Sequence, residues 1–184
     1  MESRMNLFKS MEKVSLPRWD DLPEFGIYRD QLITIVNSAT ENIFQSADDN
    51  KLTVSMVNNY VKWKAIPKPE KKKYFKVHIA FCIVISALKP ILTIANINKG
   101  IQLQIELEGE EKAYNRFCDM VESVFNKDIE TLSDFGDNEE FKITSSNLGI
   151  YTSCQALYYK KIANSILSSL ELEGTETSDN EDEK

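Results

Sequence analysis

The residues Leu52–Tyr74 read LTVSMVNNYVKWKAIPKPEKKKY, and this stretch decides how the chain is interpreted. It contains, in order, a short amphipathic segment, a turn bracketed by two prolines, and a run of lysines. Residues 51–90 hold nine Lys and one Glu, a local charge of +8, whereas the rest of the chain carries −15. A concentrated positive patch on an acidic chain indicates a surface that meets an anion, and nucleic acid is the leading candidate.

The stretch begins with a predicted helix over Thr53–Trp63, in which the Thr53 hydroxyl can cap the exposed backbone N–H groups. Its apolar face is formed by Val54, Val57, Tyr60 and Val61, and its opposite, polar face by Ser55, Asn58, Asn59 and Lys62. Asn can bridge N6 and N7 of adenine, and a small residue such as Ser allows close approach to the major groove. We predict that the polar face reads DNA; the alternative is an ordinary solvated face.

The residues after this helix form a candidate phosphate clamp. Its lysines are Lys64, Lys68, Lys71, Lys72 and Lys73, and we include Tyr74, which closes the segment, among the predicted DNA-binding residues. Pro67 and Pro69 stiffen the loop and hold its charges in place. Such a loop would flank the helix and fix its register on the DNA backbone. The alternative is a solubilising loop. For Trp63, which closes the turn, packing is favoured over stacking on a base.

Length and composition favour an ordinary globular protein. The 184 residues suit one domain, or a domain with a small extension, and 42% of them are hydrophobic, which is enough for a packed core. The three widely spaced cysteines indicate neither a disulfide framework nor a zinc site. The N-terminal residues lack the apolar run of a secretory signal, and the longest apolar stretch, Val77–Leu88, is shorter than the ~20 residues that span a bilayer. We predict a reduced, cytoplasmic protein.

The periodicity of apolar residues predicts an all-α, mainly helical fold. The predicted regions are a loosely ordered N-terminus (1–15), a helix-turn-helix domain with a docked N-terminal segment (16–97), a C-terminal helical region (98–170) and a disordered acidic tail (171–184). The predicted helices begin at or near Tyr28, Thr53, Val77, Thr93, Glu110 and Ser146 or Asn147, with a long loop over 128–146. Residues Ile101–Leu107 alternate as a strand would, yet they also fit a helix, which we favour because no second strand is evident.

The order of parts in Leu52–Tyr74 resembles the DNA-binding half of MerR-type transcriptional regulators, whose helix-turn-helix runs roughly VSVRTLRYYERIGLLPP and is followed by a basic loop and a Tyr. The matching positions are Thr53, Val57, Asn58, Asn59, Tyr60, Lys62, Ile66, Pro67 and Tyr74. Lys64 stands where that pattern has the Gly of the turn. The resemblance spans about residues 52–97 and implies a MerR-like winged helix-turn-helix that binds duplex DNA.

A longer resemblance rests on four segments: Leu16–Trp19 with Leu22 and Pro23, Ile27–Gln31, Ser55–Lys62, and Ile66–Tyr74. They are similar to the LPRW-D-LP, LYxDQ, SMxNNYVK and IPxPxKKKY segments of the bacterial family named domain of unknown function 1836. This resemblance spans about residues 16–170. It implies membership of a family and supplies no activity.

Catalysis finds little support in the residues. The only histidine, His78, lies in the apolar pattern of the predicted core helix and has no Cys or Asp partner at triad or metal-ligand spacing. Adjacent acids such as Asp20 and Asp21 fall in predicted loops, where solvent disfavours the raised pKa of a general acid. Phosphate-binding glycine motifs are absent from the sequence. We predict a protein that is not an enzyme and has no cofactor and no catalytic or metal-binding residues.

The function predicted from the sequence is binding of specific duplex DNA sequences, and hence control of transcription. One such module buries only about 600–1,000 Å² on DNA, so a homodimer that reads two half-sites is expected. The first alternative is a protein-interaction module that uses the same scaffold and basic face for an acidic partner. The second is a sensor of an unspecified small-molecule effector, with an aromatic pocket lined by Tyr114, Phe117, Phe125, Tyr151 and Tyr158.

Overall fold

A computed structural model describes residues 13–44, 50–126 and 143–178 of the chain. Six α-helices occur there: α1 (Arg29–Thr40), α2 (Val54–Lys62), α3 (Lys76–Leu88), α4 (Ile94–Glu108), α5 (Glu110–Phe125) and α6 (Leu148–Ser178). Short 3₁₀ turns lie at Trp19–Asp21 and Glu41–Ile43. Strands are absent from these ranges apart from isolated bridges. The prediction of a mainly helical, all-α fold is confirmed.

Helix α3 is the centre of the core, as its apolar sequence predicts. Every residue from His78 to Leu88 is buried, which is the expected state of a helix that is apolar on all sides. Helices α1, α4, α5 and α6 all pack against it. The three cysteines are buried and free. Among the described residues, no helix is both long enough and apolar enough to span a membrane.

The predicted helix starts agree with the capping side chains. The Thr53 hydroxyl accepts a hydrogen bond from the Met56 backbone N–H, and Thr93 does the same for Asn96, each at 3.3 Å. The ambiguous stretch Ile101–Leu107 lies within α4 and is helical, so that prediction is confirmed. The predicted domain boundary between residues 97 and 98 falls inside this helix.

The predicted docking of the N-terminal segment corresponds to a set of polar contacts with α5. The backbone N–H of Leu16 donates to Glu122 Oε1 at 2.7 Å, and that of Trp19 donates to Asn115 Oδ1 at 2.9 Å. The Tyr114 hydroxyl donates to the Pro17 carbonyl at 2.8 Å. Residues from both predicted regions, 16–97 and 98–170, contribute to a single hydrophobic core. The N-terminal segment therefore joins the two regions.

Some predictions concern residues at the limits of the described ranges. Helix α6 continues through residues 171–178, beyond the predicted start of the acidic tail, and residues 179–184 lie outside the described part. Most of the predicted loop 128–146 and of the N-terminal residues 1–15 also lies outside it. Val14 is described and buried, and its N–H and C=O bond the Asn126 side chain.

Candidate nucleic-acid interface

The predicted reading face of α2 is on the surface. Ser55, Asn58 and Lys62 are exposed, and Asn59 is half-buried. On the opposite side, Val57 and Tyr60 are buried against the core. The polar face is therefore at the surface as predicted, whereas Val54 of the predicted apolar face is 40% exposed.

Helix α2 ends in a Schellman motif that has lysine at its left-handed position. Lys64 has φ 57°, and its N–H donates to the Val61 carbonyl at 3.1 Å while that of Ala65 donates to Tyr60 at 2.8 Å. Glycine is the usual residue at this position, because it has no Cβ to clash. The turn is thus closed in the usual geometry although Lys64 replaces the glycine of the MerR pattern. Its side chain is exposed.

The lysine run forms a tight hairpin. Glu70 and Lys73 pair through both backbone hydrogen bonds, with N···O distances of 3.1 and 2.8 Å. The two residues at the tip, Lys71 and Lys72, have φ values of 47° and 66°, as a type I′ turn requires. Asn-Gly is the preferred sequence for such a turn. The sequence predicts only a charged loop here, because Lys-Lys is not a turn signal. The side chains of all three lysines of the run are exposed.

The hairpin is anchored to the segment before α1. Ile27 and Tyr74 form an antiparallel bridge in which both N···O distances are 2.8 Å. A Cβ placed on Gly26 would lie 2.9 Å from Lys73 Cβ, so only glycine allows this close approach without displacing the hairpin. The position of the lysines is therefore set by residues more than forty positions earlier in the chain.

Tyr74 requires a correction as a predicted DNA-binding residue. Its side chain is only 5% exposed and belongs to the hydrophobic core. Its ring packs edge-to-face on His78, with the ring centroids 5.4 Å apart. Burial raises the pKa of its hydroxyl. Tyr74 is therefore a positioning residue that holds the base of the hairpin. The prediction was wrong because the sequence pattern that aligns Tyr74 with a wing-closing Tyr carries no information about its burial.

His78 is structural, and it caps α3 in place of a Ser or Thr. Phe75 occupies the N-cap position and has no side-chain acceptor, but its backbone N–H donates to His78 Nδ1 at 3.0 Å. The imidazole is buried, and burial lowers its pKa from 6.5. Nδ1 can accept this bond only when it is unprotonated. The protonation state of His78 therefore bears on the start of α3 and, through Tyr74, on the hairpin.

We predict that acid destabilises the fold through His78. Below about pH 6.5 the imidazole of the unfolded chain binds a proton, whereas the folded imidazole stays neutral until the pH reaches its lowered pKa. Between these two pKa values the free energy of unfolding decreases as the pH decreases, by at most about 1.4 kcal/mol per pH unit. Chemical denaturation as a function of pH measures this. His78→Gln keeps an acceptor but does not titrate, and it should lose this part of the pH dependence. Identical profiles for the two proteins would contradict the assignment.

Two features of this surface were not predictable from the sequence pattern. Arg29, the first residue of α1, donates from Nη1 to Asn58 Oδ1 at 3.3 Å, so a further cation supports the predicted reading face. Three aromatic side chains near the lysines are exposed: Phe25, Tyr28 and Trp63. Lys73 Nζ lies 5.7 Å from the centroid of the Tyr28 ring. Trp63 is 57% exposed, so the favoured packing interpretation of this residue is wrong.

Nine of the ten predicted DNA-binding residues lie at the surface, and they fall within one continuous stretch of the sequence. The exposed ones are Ser55, Asn58, Lys62, Lys64, Lys68, Lys71, Lys72 and Lys73, and Asn59 is partly exposed. The start of α1 contacts this stretch at two points: Arg29 donates to Asn58, and the Tyr28 ring lies below Lys73. Clusters of three or more metal-ligating side chains are absent from the described residues.

The chain is thus a mainly helical protein in which a helix, a tight turn and a basic hairpin follow one another along the sequence and expose their polar and basic side chains. It belongs to the family named domain of unknown function 1836, whose sequence model matches residues 17–118. The match covers the segment from the docked N-terminus to the middle of α5 and includes the whole basic surface. Neither the curated proteins nor the solved structures that were searched contain a match to the chain.

Proposed function

We propose that this protein is a DNA-binding regulator of transcription with a MerR-like winged helix-turn-helix, in which α2 enters the major groove. Ser55, Asn58 and Asn59 would face base edges, and Lys62 would contact the backbone. The hairpin would act as the wing, with its lysines on phosphates. Binding as a homodimer is part of the proposal, because two half-sites supply the area that one small module lacks.

The observation that supports this proposal most is the backbone conformation of three lysines. Lys64, Lys71 and Lys72 all have positive φ, which costs an L-residue other than glycine roughly 1–2 kcal/mol. Gly or Asn would adopt these conformations at lower cost. Costly backbone conformations persist where the side chain is needed for function. Here the shared feature of the three residues is an exposed positive charge.

Selection of bound duplexes from a random library tests the proposal. We expect enrichment of a palindromic site, because a two-fold symmetric dimer reads two equal half-sites. A library that returns no enriched sequence while the protein is folded would contradict specific DNA binding.

We predict that Asn58→Ala and Asn59→Ala blur the selected sequence. Loss of a base contact should cost about 1–3 kcal/mol on the preferred duplex and relax the preference at one position. Lys62→Ala is the contrast, since loss of a phosphate contact should weaken all duplexes alike and reduce the log–log salt slope by about 0.9. Affinities for preferred and mismatched duplexes, measured by fluorescence anisotropy, separate the two outcomes. Unchanged discrimination in both Asn variants would remove α2 as the reading helix.

The rival proposal is a protein-interaction module that uses the same basic surface for an acidic partner. The exposed aromatic residues Phe25, Tyr28 and Trp63 suit such a role as well, because aromatic side chains are enriched in protein interfaces. A variant with Lys71, Lys72 and Lys73 changed to Ala discriminates between the two. Unchanged duplex affinity of that variant would favour the interaction module.

A further inference from the structure

A cavity of about 330 Å³ lies between α3, α4, α5 and the start of α6. Its wall is mostly apolar and includes Phe81, Val84, Ile97, Ile101 and Phe117. Leu103 also lines it and is 47% exposed, so the cavity reaches the surface. The volume is at the lower end of the range of ~300–1,000 Å³ that is typical of ligand pockets.

Gly100 lines the cavity at a position where a side chain would have room. It lies in the interior of α4, although glycine costs a helix interior about 1 kcal/mol relative to Ala. Apart from its two chain neighbours and the nearby backbone of its own helix, a Cβ at this position would have no described atom within 4 Å. Packing therefore gives no reason for the absence of a side chain, and a larger residue would both favour the helix and fill part of the cavity.

The polar groups of the wall define the chemistry of an occupant. Gln104 is 5% exposed, and its Nε2 donates to the Ser146 carbonyl at 2.7 Å. Its Oε1 is the atom left to accept a bond from a ligand. Among the described residues that line the cavity, Glu110 is the one charged group, and it is exposed to solvent. The described wall therefore supplies no cation that could pair with an anionic ligand.

We propose that this cavity binds a small, uncharged, mostly apolar molecule that carries a hydrogen-bond donor. The site is independent of the proposed DNA-binding surface, since none of its lining residues belongs to α2 or the hairpin. It differs from the aromatic pocket predicted from the sequence. Tyr114 and Phe117 line it, whereas the other three aromatic residues of that prediction lie elsewhere: Tyr151 is buried in the core, and Phe125 packs on Tyr158 with centroids 5.4 Å apart.

Fluorescence titration of the full chain with N-phenyl-1-naphthylamine tests this site. The probe is uncharged and apolar, has one N–H donor, and becomes bright in apolar surroundings. We expect saturable binding of one probe per chain. Its sulfonated analogue, 1-anilinonaphthalene-8-sulfonate, should bind with a Kd at least about tenfold higher, because the mostly apolar wall would have to desolvate the sulfonate and supplies no cation to pair with it.

Gly100→Leu supplies the decisive variant. The Leu side chain should occupy the cavity, raise the Kd for the probe at least about tenfold and raise the Tm by about 2–4 °C through better helix propensity. Lys99→Leu adds the same side chain at an exposed neighbouring position that does not line the cavity, and it should bind like the parent protein. Absence of saturable binding to the parent, or equal affinity in a folded Gly100→Leu protein, would overturn the proposal. Neither result depends on whether the protein binds DNA.

Discussion

Replacing Lys71 with Asn and Lys72 with Gly is expected to stabilise the fold while weakening its binding to duplex DNA. The substitution places the preferred type I′ sequence at two positions that have positive φ. Relief of about 1 kcal/mol or more per residue should raise the free energy of unfolding by roughly 1–3 kcal/mol. Two fewer phosphate contacts should lower duplex affinity roughly 10–100-fold at moderate salt and reduce the log–log salt slope by about 1.8.

Two control variants separate conformation from charge in this experiment. Lys71→Ala with Lys72→Ala removes the same charges but places Ala, which disfavours positive φ more than Asn or Gly does, at both positions. We therefore expect the loss of affinity without the gain in stability. Lys71→Arg with Lys72→Arg retains both charges and should retain affinity. Denaturant unfolding and fluorescence anisotropy give the two readouts. An Asn-Gly hairpin that binds duplex DNA as tightly as the parent would contradict the role assigned to the hairpin.

The second large effect is expected at Tyr74, which anchors the hairpin from inside the core. Tyr74→Ala should cost about 3–5 kcal/mol of unfolding free energy, as truncation of a buried aromatic residue does. The Ala variant also removes the edge-to-face contact with His78. Because the buried Tyr74 ring fixes the base of the hairpin, its loss should let the lysines move. We therefore expect duplex affinity to fall even under conditions where the variant remains folded.

Tyr74→Phe is the matched control and tests the corrected role directly. A positioning residue that acts through its ring should tolerate loss of the hydroxyl with less than about 1 kcal/mol of change in stability, and duplex affinity should stay the same. A residue whose hydroxyl contacts phosphate would lose affinity in Tyr74→Phe without losing stability. Anisotropy and thermal denaturation of both variants distinguish these cases.

The helices and their starts were predictable because they depend on local patterns. Apolar residues at helical spacing predict α5 and the buried side of α2, and the polar face of α2 lies opposite that side. The hydroxyls of Thr53 and Thr93 cap α2 and α4 as predicted. The apolar sequence of α3 similarly determines its central position. In each case, the information lies within a dozen neighbouring residues.

The details of the candidate site could not be predicted, because they depend on contacts between distant residues. The bridge from Ile27 to Tyr74 and the bond from Arg29 to Asn58 join segments far apart in sequence. The type I′ hairpin lacks the Asn-Gly signal by which such turns are recognised. Likewise, the cavity beside Gly100 follows from the packing of four elements, which a periodicity of aromatic residues does not reveal.

The salt dependence of duplex binding by the unmodified protein tests the central claim most directly. If the six lysines from Lys62 to Lys73 contact phosphates, the logarithm of the association constant should fall linearly with the logarithm of salt concentration, with a slope of about −5 per protomer. Anisotropy titrations with a labelled duplex at several salt concentrations supply the slope. A slope near zero, or no binding at about 50 mM salt, would contradict the proposal that the polar helix α2 and the basic hairpin bind DNA.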